Sequence, residues 1–525
     1  MSEEKITSAR PIDRRQFMQL CAGSLALAAA SCGRREDRSN ARSSTVIVGC
    51  NDEKDLMIGQ SAKYLVFLPL VTYNEKGELE GRLAESWEHS PDYREWTYHL
   101  RKGVRWHDGV PVTAHDVKFT MDLEIRPDVG EESPSLFQSV AVLDDWTLKL
   151  SSANTIGYQI DNVYFPRHLL ERLDPRKFYE WDFWRHPVGN GPYRFVRYVP
   201  ETMMEFEANP HYYRGKPRIT RAILEFVNSY GRRTLTELLA GSIDAISESD
   251  SAQIPKLKSD PGLRVYYQYS DWVAQAIYWQ NDNYLFRDPR VRQALTLAIN
   301  RRELLRVLNL PEDVPIMDGP LLGRHLRRRH LPEPSRFDPA RAQALLEAAG
   351  WHDSDGDGIH EKGQRKFHFT AIARADSPFG SMPVYVQDQL RHVGVSMDIQ
   401  VLEGPLANAR VLAGQFEAAF SAIASSAEGL QRWFGGRSPI GYRNPAATKL
   451  IDQALVTEEP TAQDRIYAQL NKTFQAEVPV TFLFPYVLTV FAHRRIRGLS
   501  SPWRADPLQF MEDLWLEDGS AQRWR

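Results

Sequence analysis

After residue 44, helix starts and β-branched runs alternate on both sides of the chain's midpoint, and this alternation restricts the fold more than any other feature. Ser44 to Cys50 is a short β-branched run of the kind that forms a buried strand. Glu95 to Arg101 alternates as a half-buried strand does, until Lys102-Gly103 breaks it. Thr113-Ala114-His115-Asp116 supplies a capping box for a following helix. Asp288-Pro289 and Asp338-Pro339 each set an Asp cap ahead of a Pro at the first helical position, predicting helices over 291–299 and 340–349, with Gly350 as the stop. A helix over 382–392 ends at Gly394, after which Val395, Met397, Ile399 and Val401 alternate along a strand. The expectation is an α/β protein of two lobes.

A chain of 525 residues is long enough for three to four domain equivalents, and its 42% hydrophobic content can supply their cores. It must do so without disulfides, because Cys21, Cys32 and Cys50 all lie in the first fifty residues. Lys plus Arg at 65 against Asp plus Glu at 68 leave a net charge of −3, which gives no global attraction for nucleic acid.

The first 44 residues differ from the rest of the chain. Arg14-Arg15 precede an aromatic, Phe17, and a weakly apolar stretch from Leu20 to Cys32, too short to span a bilayer but suited to a signal region. The twin arginine resembles the Tat export signal. Ala29-Ala30-Ser31-Cys32 loosely resembles a lipobox, and Ala28-Ala29-Ala30 equally suits an ordinary signal peptidase. The favoured reading is a signal peptide over 1–31, lipidation at Cys32 and a polar tether over 32–44, which places the protein on the periplasmic or extracytoplasmic face of the cytoplasmic membrane.

Several motifs then stand in one order: Leu83 to Trp87, Leu100 to Gly109, Pro111 to Val117, Gly189-Asn190-Gly191-Pro192-Tyr193, Asn209 to Tyr213, Gly241 to Asp244, Asp288 to Leu295 and Gly441 to Pro445. Together they resemble the family 5 extracellular solute-binding proteins, the dipeptide, oligopeptide and nickel receptors of ABC importers. The resemblance implies a bilobal periplasmic-binding-protein-like fold (type II, cluster C), with two α/β lobes joined by a hinge and an extra subdomain inserted in the first lobe. It implies lobe I over 45–66, 188–270 and 485–525, the inserted subdomain over 67–187 and lobe II over 271–484. It also implies a monomer without cofactor or catalysis, whose partners are a small-molecule or peptide ligand and the permease of an importer.

In peptide receptors of this family an Asp of the second lobe meets the ligand's amine. Here Ala422 to Glu428 is the corresponding stretch, and Ser426 stands where that Asp would be, leaving Glu428 as a substitute or a ligand without the amine. Arg374, after the apolar strand Phe367 to Ile372, is the expected clamp for an acidic group. Trp433 and Tyr442 flank this region and are expected to wall the cleft.

Two charged stretches carry weaker expectations. Arg324 to His330 is read as a solvated basic face or, less favoured, a basic loop on the cleft. Asp353, Asp355 and Asp357 resemble the start of a calcium loop, but Gln364 takes the place of its bidentate Glu, so a polar turn is preferred and no metal is assigned. His107-Asp108 beside a Gly turn is read as structural rather than catalytic. An exported hydrolase and a membrane-tethered sensor are the alternatives to an import receptor. Gly-x-Ser-x-Gly, His-Glu-x-x-His and phosphate-loop motifs are all missing from the sequence.

Overall fold

The computed structural model describes residues 44–50, 62–74, 76, 78–126, 139–152, 162–227, 232–247, 251–320, 333–457 and 459–517. Arg14, Arg15 and Cys32 of the export segment lie outside the described residues, as does the Arg324 to His330 run. Ten strands make the main sheet: β1 (Thr45–Cys50), β2 (Tyr193–Val199), β3 (Met203–Ala208), β4 (Arg221–Phe226), β5 (Ala245–Ser247), β6 (Leu263–Trp279), β7 (His368–Arg374), β8 (Ser396–Leu402), β9 (Ala418–Ala424) and β10 (Val480–His493). Their spatial order is β8-β7-β9-β6-β10-β5-β1-β4-β3-β2. At one end β1 runs parallel to β4 and β5; at the other β7 runs parallel to β8 and β9, as helical crossovers require.

The middle pair is different. β6 has 17 residues and β10 has 14, pairing antiparallel across the junction. Their ladder runs from Leu263↔His493 to Tyr269↔Val487 and resumes at Ala274↔Pro485. Pro485 has no N–H for the ladder, so the pairing breaks beside it. Ser270 repairs part of the loss, its hydroxyl accepting the N–H groups of Trp272 at 3.3 Å and Val273 at 3.0 Å. The bulge aims Trp272 outward, and it is 39% exposed where Trp96 and Trp279 are fully buried.

Two hydrophobic cores lie on this continuous sheet. One gathers Val46, Trp96, Tyr98, Tyr193, Leu224 and Leu514, and the other Trp279, Leu295, Phe369, Val386, Phe434 and Phe482. Leu238, Ile243 and Leu257, grouped with the first lobe by sequence, pack their side chains on the second core, because the sheet passes between the two without interruption. A separate antiparallel sheet over Ala84–His89, Glu95–Leu100, Thr147–Ser151 and Ser139–Asp144 carries the helix Ala114–Ile125. That helix opens as its sequence demands: the Asp116 carboxylate accepts the Thr113 N–H at 2.8 Å.

The Gly189-Asn190-Gly191 motif fits this framework closely. The Asn190 Oδ1 accepts the Leu68 N–H at 2.9 Å, and a Cβ on Gly191 would stand 2.6 Å from the Val66 carbonyl carbon. Only a glycine lets the two backbones approach so near. Among the described residues no helix is long and apolar enough to cross a membrane.

Candidate functional site

Two cavities flank the β6–β10 crossing, and Tyr486 of β10 lines both. The first, of about 560 Å³, lies against the core built from both ends of the chain. Its walls include Arg82, Arg214 and Arg504 together with Trp272, Trp503 and Phe510. The second, of about 730 Å³, lies against the 271–484 side, with Val384, Val401, Leu412, Phe420 and Trp433 around it beside Arg374, Asp376 and Arg432.

Arg374 ends β7 and lines the second cavity, with a third of its side chain exposed. Its fork is not open. Nε and Nη2 donate to the two oxygens of Asp376 at 2.9 and 2.6 Å, and Nη1 reaches Asn408 at 3.2 Å. This hydrogen bonding holds the Asp376 carboxyl below its usual range, and Gly404 leaves the room, since a Cβ there would come within 2.6 Å of the carboxylate. Arg374 therefore enters the cavity as half of an ion pair, a partner that sequence reasoning missed although it stands two residues away.

The other expected contacts separate. Trp433 borders the second cavity, 8% exposed, its ring 4.7 Å from that of Tyr278. Ser426 caps the helix Ala427–Phe434, its hydroxyl accepting the Gly429 N–H at 3.2 Å, and it is not among the cavity walls. Glu428 lies in that helix, and its side chain falls outside the described residues. Tyr442, expected to wall the cleft, is instead core. It is 4% exposed, packs edge-on against Phe434 and Phe474, and donates its hydroxyl to Glu477 at 2.5 Å. Burial pushes its phenol far above the ordinary range. The sequence signal that pointed there, an aromatic beside a Gly turn, describes a packed turn equally well.

The acidic turn is also rearranged. Asp353, Asp355 and Glu361 bring ligand atoms within 4.8 Å of one another, whereas Asp357 turns away to the Lys366 amine and the Ile359 N–H. Lys366 also meets Asp355 at 3.1 Å, and Asp353 accepts the N–H groups of Gly356 and Gly358. An internal ammonium and backbone amides thus serve the carboxylates of this turn.

Sequence reasoning missed the first cavity altogether. The Glu512 carboxylate, 7% exposed, receives Arg82 at 2.7 Å, Arg214 at 2.8 Å and the Tyr212 hydroxyl. Burial opposes the charge on Arg82, but Glu512 outweighs it and holds the guanidinium firmly protonated. Asp513 receives Arg504 at 2.6 Å. These partners come from residues 82, 212–214 and 504–513, which no local motif connects.

Residues 78–436 match the family described as bacterial extracellular solute-binding proteins, family 5. The chain belongs to that family. This family 5 protein is 27% identical over 441 residues to an ABC transporter peptide-binding protein of Brucella ovis, a match covering 79% of the chain and 80% of the relative. It is 25% identical over 441 residues to the oligopeptide-binding protein AppA of Bacillus subtilis, with the same coverage. Among solved structures, NikZ of Campylobacter jejuni, crystallised with Ni(L-His), superposes with a TM-score of 0.75 at 22% identity, covering 90% of this chain and 99% of that one. The α/β expectation is met in its bilobal, type II form.

Proposed function

We propose that this family 5 protein is the solute receptor of an ABC importer, capturing a peptide or a related polar or acidic compound between its lobes and presenting it to a permease. The observation that carries the reading is the pair of cavities on either side of the β6–β10 crossing, both lined by Tyr486. A solute touching both sides stabilises the closed arrangement, and closure is what a permease can read. The names of the Brucella and Bacillus relatives support the importer and the peptide-like solute.

Lobe II runs over 271–484 in this reading, with lobe I on either side and the insert over 67–187. Support comes from the ladder break between Tyr269 and Ala274 and beside Pro485. Arg374, with Asp376, and Trp433 are the lobe II groups placed to meet the solute. The protein acts as a monomer without catalysis, exported through the Arg14-Arg15 signal and held to the membrane by a lipid on Cys32.

Mass spectrometry of small molecules released from the purified native protein identifies the solute. Adding it back is expected to reduce the radius of gyration in small-angle scattering and to raise the melting temperature. A compound that does neither at saturation is not the solute. Replacing Arg14 and Arg15 by Lys should stop export, and Cys32→Ala should move the protein to the soluble fraction; unchanged fractionation would remove the anchor.

A further inference from the structure

Resting on that receptor reading, we infer that the solute carries a bulky, uncharged apolar group, and that this group is seated in the second cavity against Val384, Val401 and Leu412. The sheet itself opens the space. β7 and β9 pair at Ala371↔Ala418 and Ile372↔Ala419 and then part, whereas β9 follows β6 as far as Val273↔Ala424. Ala373 and Arg374 on one side of this wedge and Phe420 and Ala422 on the other line the cavity, at the carboxyl ends of strands that run parallel. Open α/β sheets hold their ligands in crevices of this kind. The volume of about 730 Å³ lies within the range of small-molecule pockets.

The side chains around the wedge say what it takes. Val384 comes from the helix Met382–Arg391, Val401 from β8 and Leu412 from the helix Gly404–Leu412, and they are 59%, 60% and 50% exposed. Apolar side chains exposed singly are ordinary, but three from separate elements on one concave wall mark a surface that a ligand covers. Phe420 and Trp433 are buried beneath them. Of the charged groups on the wall, Arg374 and Asp376 are engaged with each other through both carboxylate oxygens, and Arg432 stands exposed on the helix Ala427–Phe434. Gln275 of β6 and Tyr486 of β10 also line the cavity, so it opens on the crossing where the receptor reading holds the solute. That continuity names the occupant as part of the solute rather than a second protein.

The probes are tri-leucine, tri-alanine and tri-glutamate, titrated by calorimetry into the mature protein after exhaustive dialysis. Tri-leucine is expected to bind about tenfold or more tightly than tri-alanine, and tri-glutamate no more tightly than tri-alanine. Val401→Asp should narrow the leucine-to-alanine ratio about fivefold or more. Val384→Asp, in the first turn of its helix where an acid is tolerated, serves as the second variant. Leu143→Asp, at a similarly exposed residue of the separate antiparallel sheet, should leave the ratio as it is, a contrast that a general loss of surface hydrophobicity would not produce. A ratio near one, a ratio unchanged in both cavity variants, tighter binding of tri-glutamate, or no binding of any probe overturns the assignment. A solute released from the native protein that lacks an apolar group also overturns it and leaves the receptor reading intact. No retained solute and no closure with any compound would instead overturn the receptor reading itself.

Discussion

His107 donates from Nε2 to the Gly191 carbonyl at 3.1 Å and accepts the Gly189 N–H on Nδ1 at 3.2 Å, so a neutral ring satisfies both ends. A second proton would have to displace the Gly189 amide, and burial holds the imidazole down to about 4 from an ordinary 6.5. The native state refuses a proton that the unfolded chain accepts between those values. The contribution is complete above about pH 6.5 and is lost as the pH falls towards 4, by at most about 3 kcal/mol. Urea unfolding of His107→Gln should therefore lose less stability than the parent between about pH 7 and about pH 4.5; curves of equal steepness would remove this role. Ser426 belongs to the same scale. Ser426→Ala should cost about 1 kcal/mol of stability through the lost helix cap and change solute affinity less than Arg374→Ala does. An affinity loss as large as that of Arg374→Ala would return the hydroxyl to the binding site. Single residues were legible where their role is local, as in the His107 turn and the Thr113 cap. Asp376 beside Arg374 and Glu477 beneath Tyr442 were not, since proximity alone does not say which side chain folds back on which.

Among the elements, the helix Pro460–Glu477 ends on a residue in the left-handed region, Val478 at φ 45°, and its last carbonyls are met by a buried arginine. Arg292, 4% exposed, donates Nε to the Val478 carbonyl at 2.8 Å, Nη2 to Glu477 at 2.6 Å and Nη1 to Phe286 at 2.5 Å. Burial brings its guanidinium down to about 10. Arg292→Met should cost about 3 kcal/mol or more, because several buried carbonyls lose their donor together. Arg290→Met, on the exposed side of the same Pro289–Leu297 helix, should cost much less, since solvent screens its pair with Asp288. Guanidinium melts of the two variants check the contrast, and similar losses would argue against it. Helix starts at Asp288-Pro289 and Asp338-Pro339 were readable because cap and proline act within one turn. The alternating run of β8 was readable as a strand, yet its apolar face leaves the core at Ile399 and Val401 to line the second cavity, and periodicity cannot distinguish core from cavity.

For the whole molecule, Cys50 is the free cysteine of the described residues, buried in β1 with its thiol pushed up by burial. Both cores stand on packing, so the mature protein should melt at the same temperature with and without dithiothreitol; a drop with reductant would reveal a cross-link involving Cys32. The two-lobe plan could be read from sequence through the order of its motifs, but the arginine cluster could not, because residues 82, 214 and 504 meet only once the chain has closed on itself. That closure sets a timetable for synthesis. β5 pairs with β10 through Ala245↔Ala492, Tyr193 donates to the Met511 carbonyl at 3.4 Å, and Arg82 waits for Glu512. A ribosome must therefore release the final stretch before the first core is complete, whereas residues 271–484 can assemble most of their own core sooner. Until then Tyr193 lacks its Met511 partner and Arg82 its Glu512, and a chain stopped short of Leu514 forfeits contacts of the region that was made first.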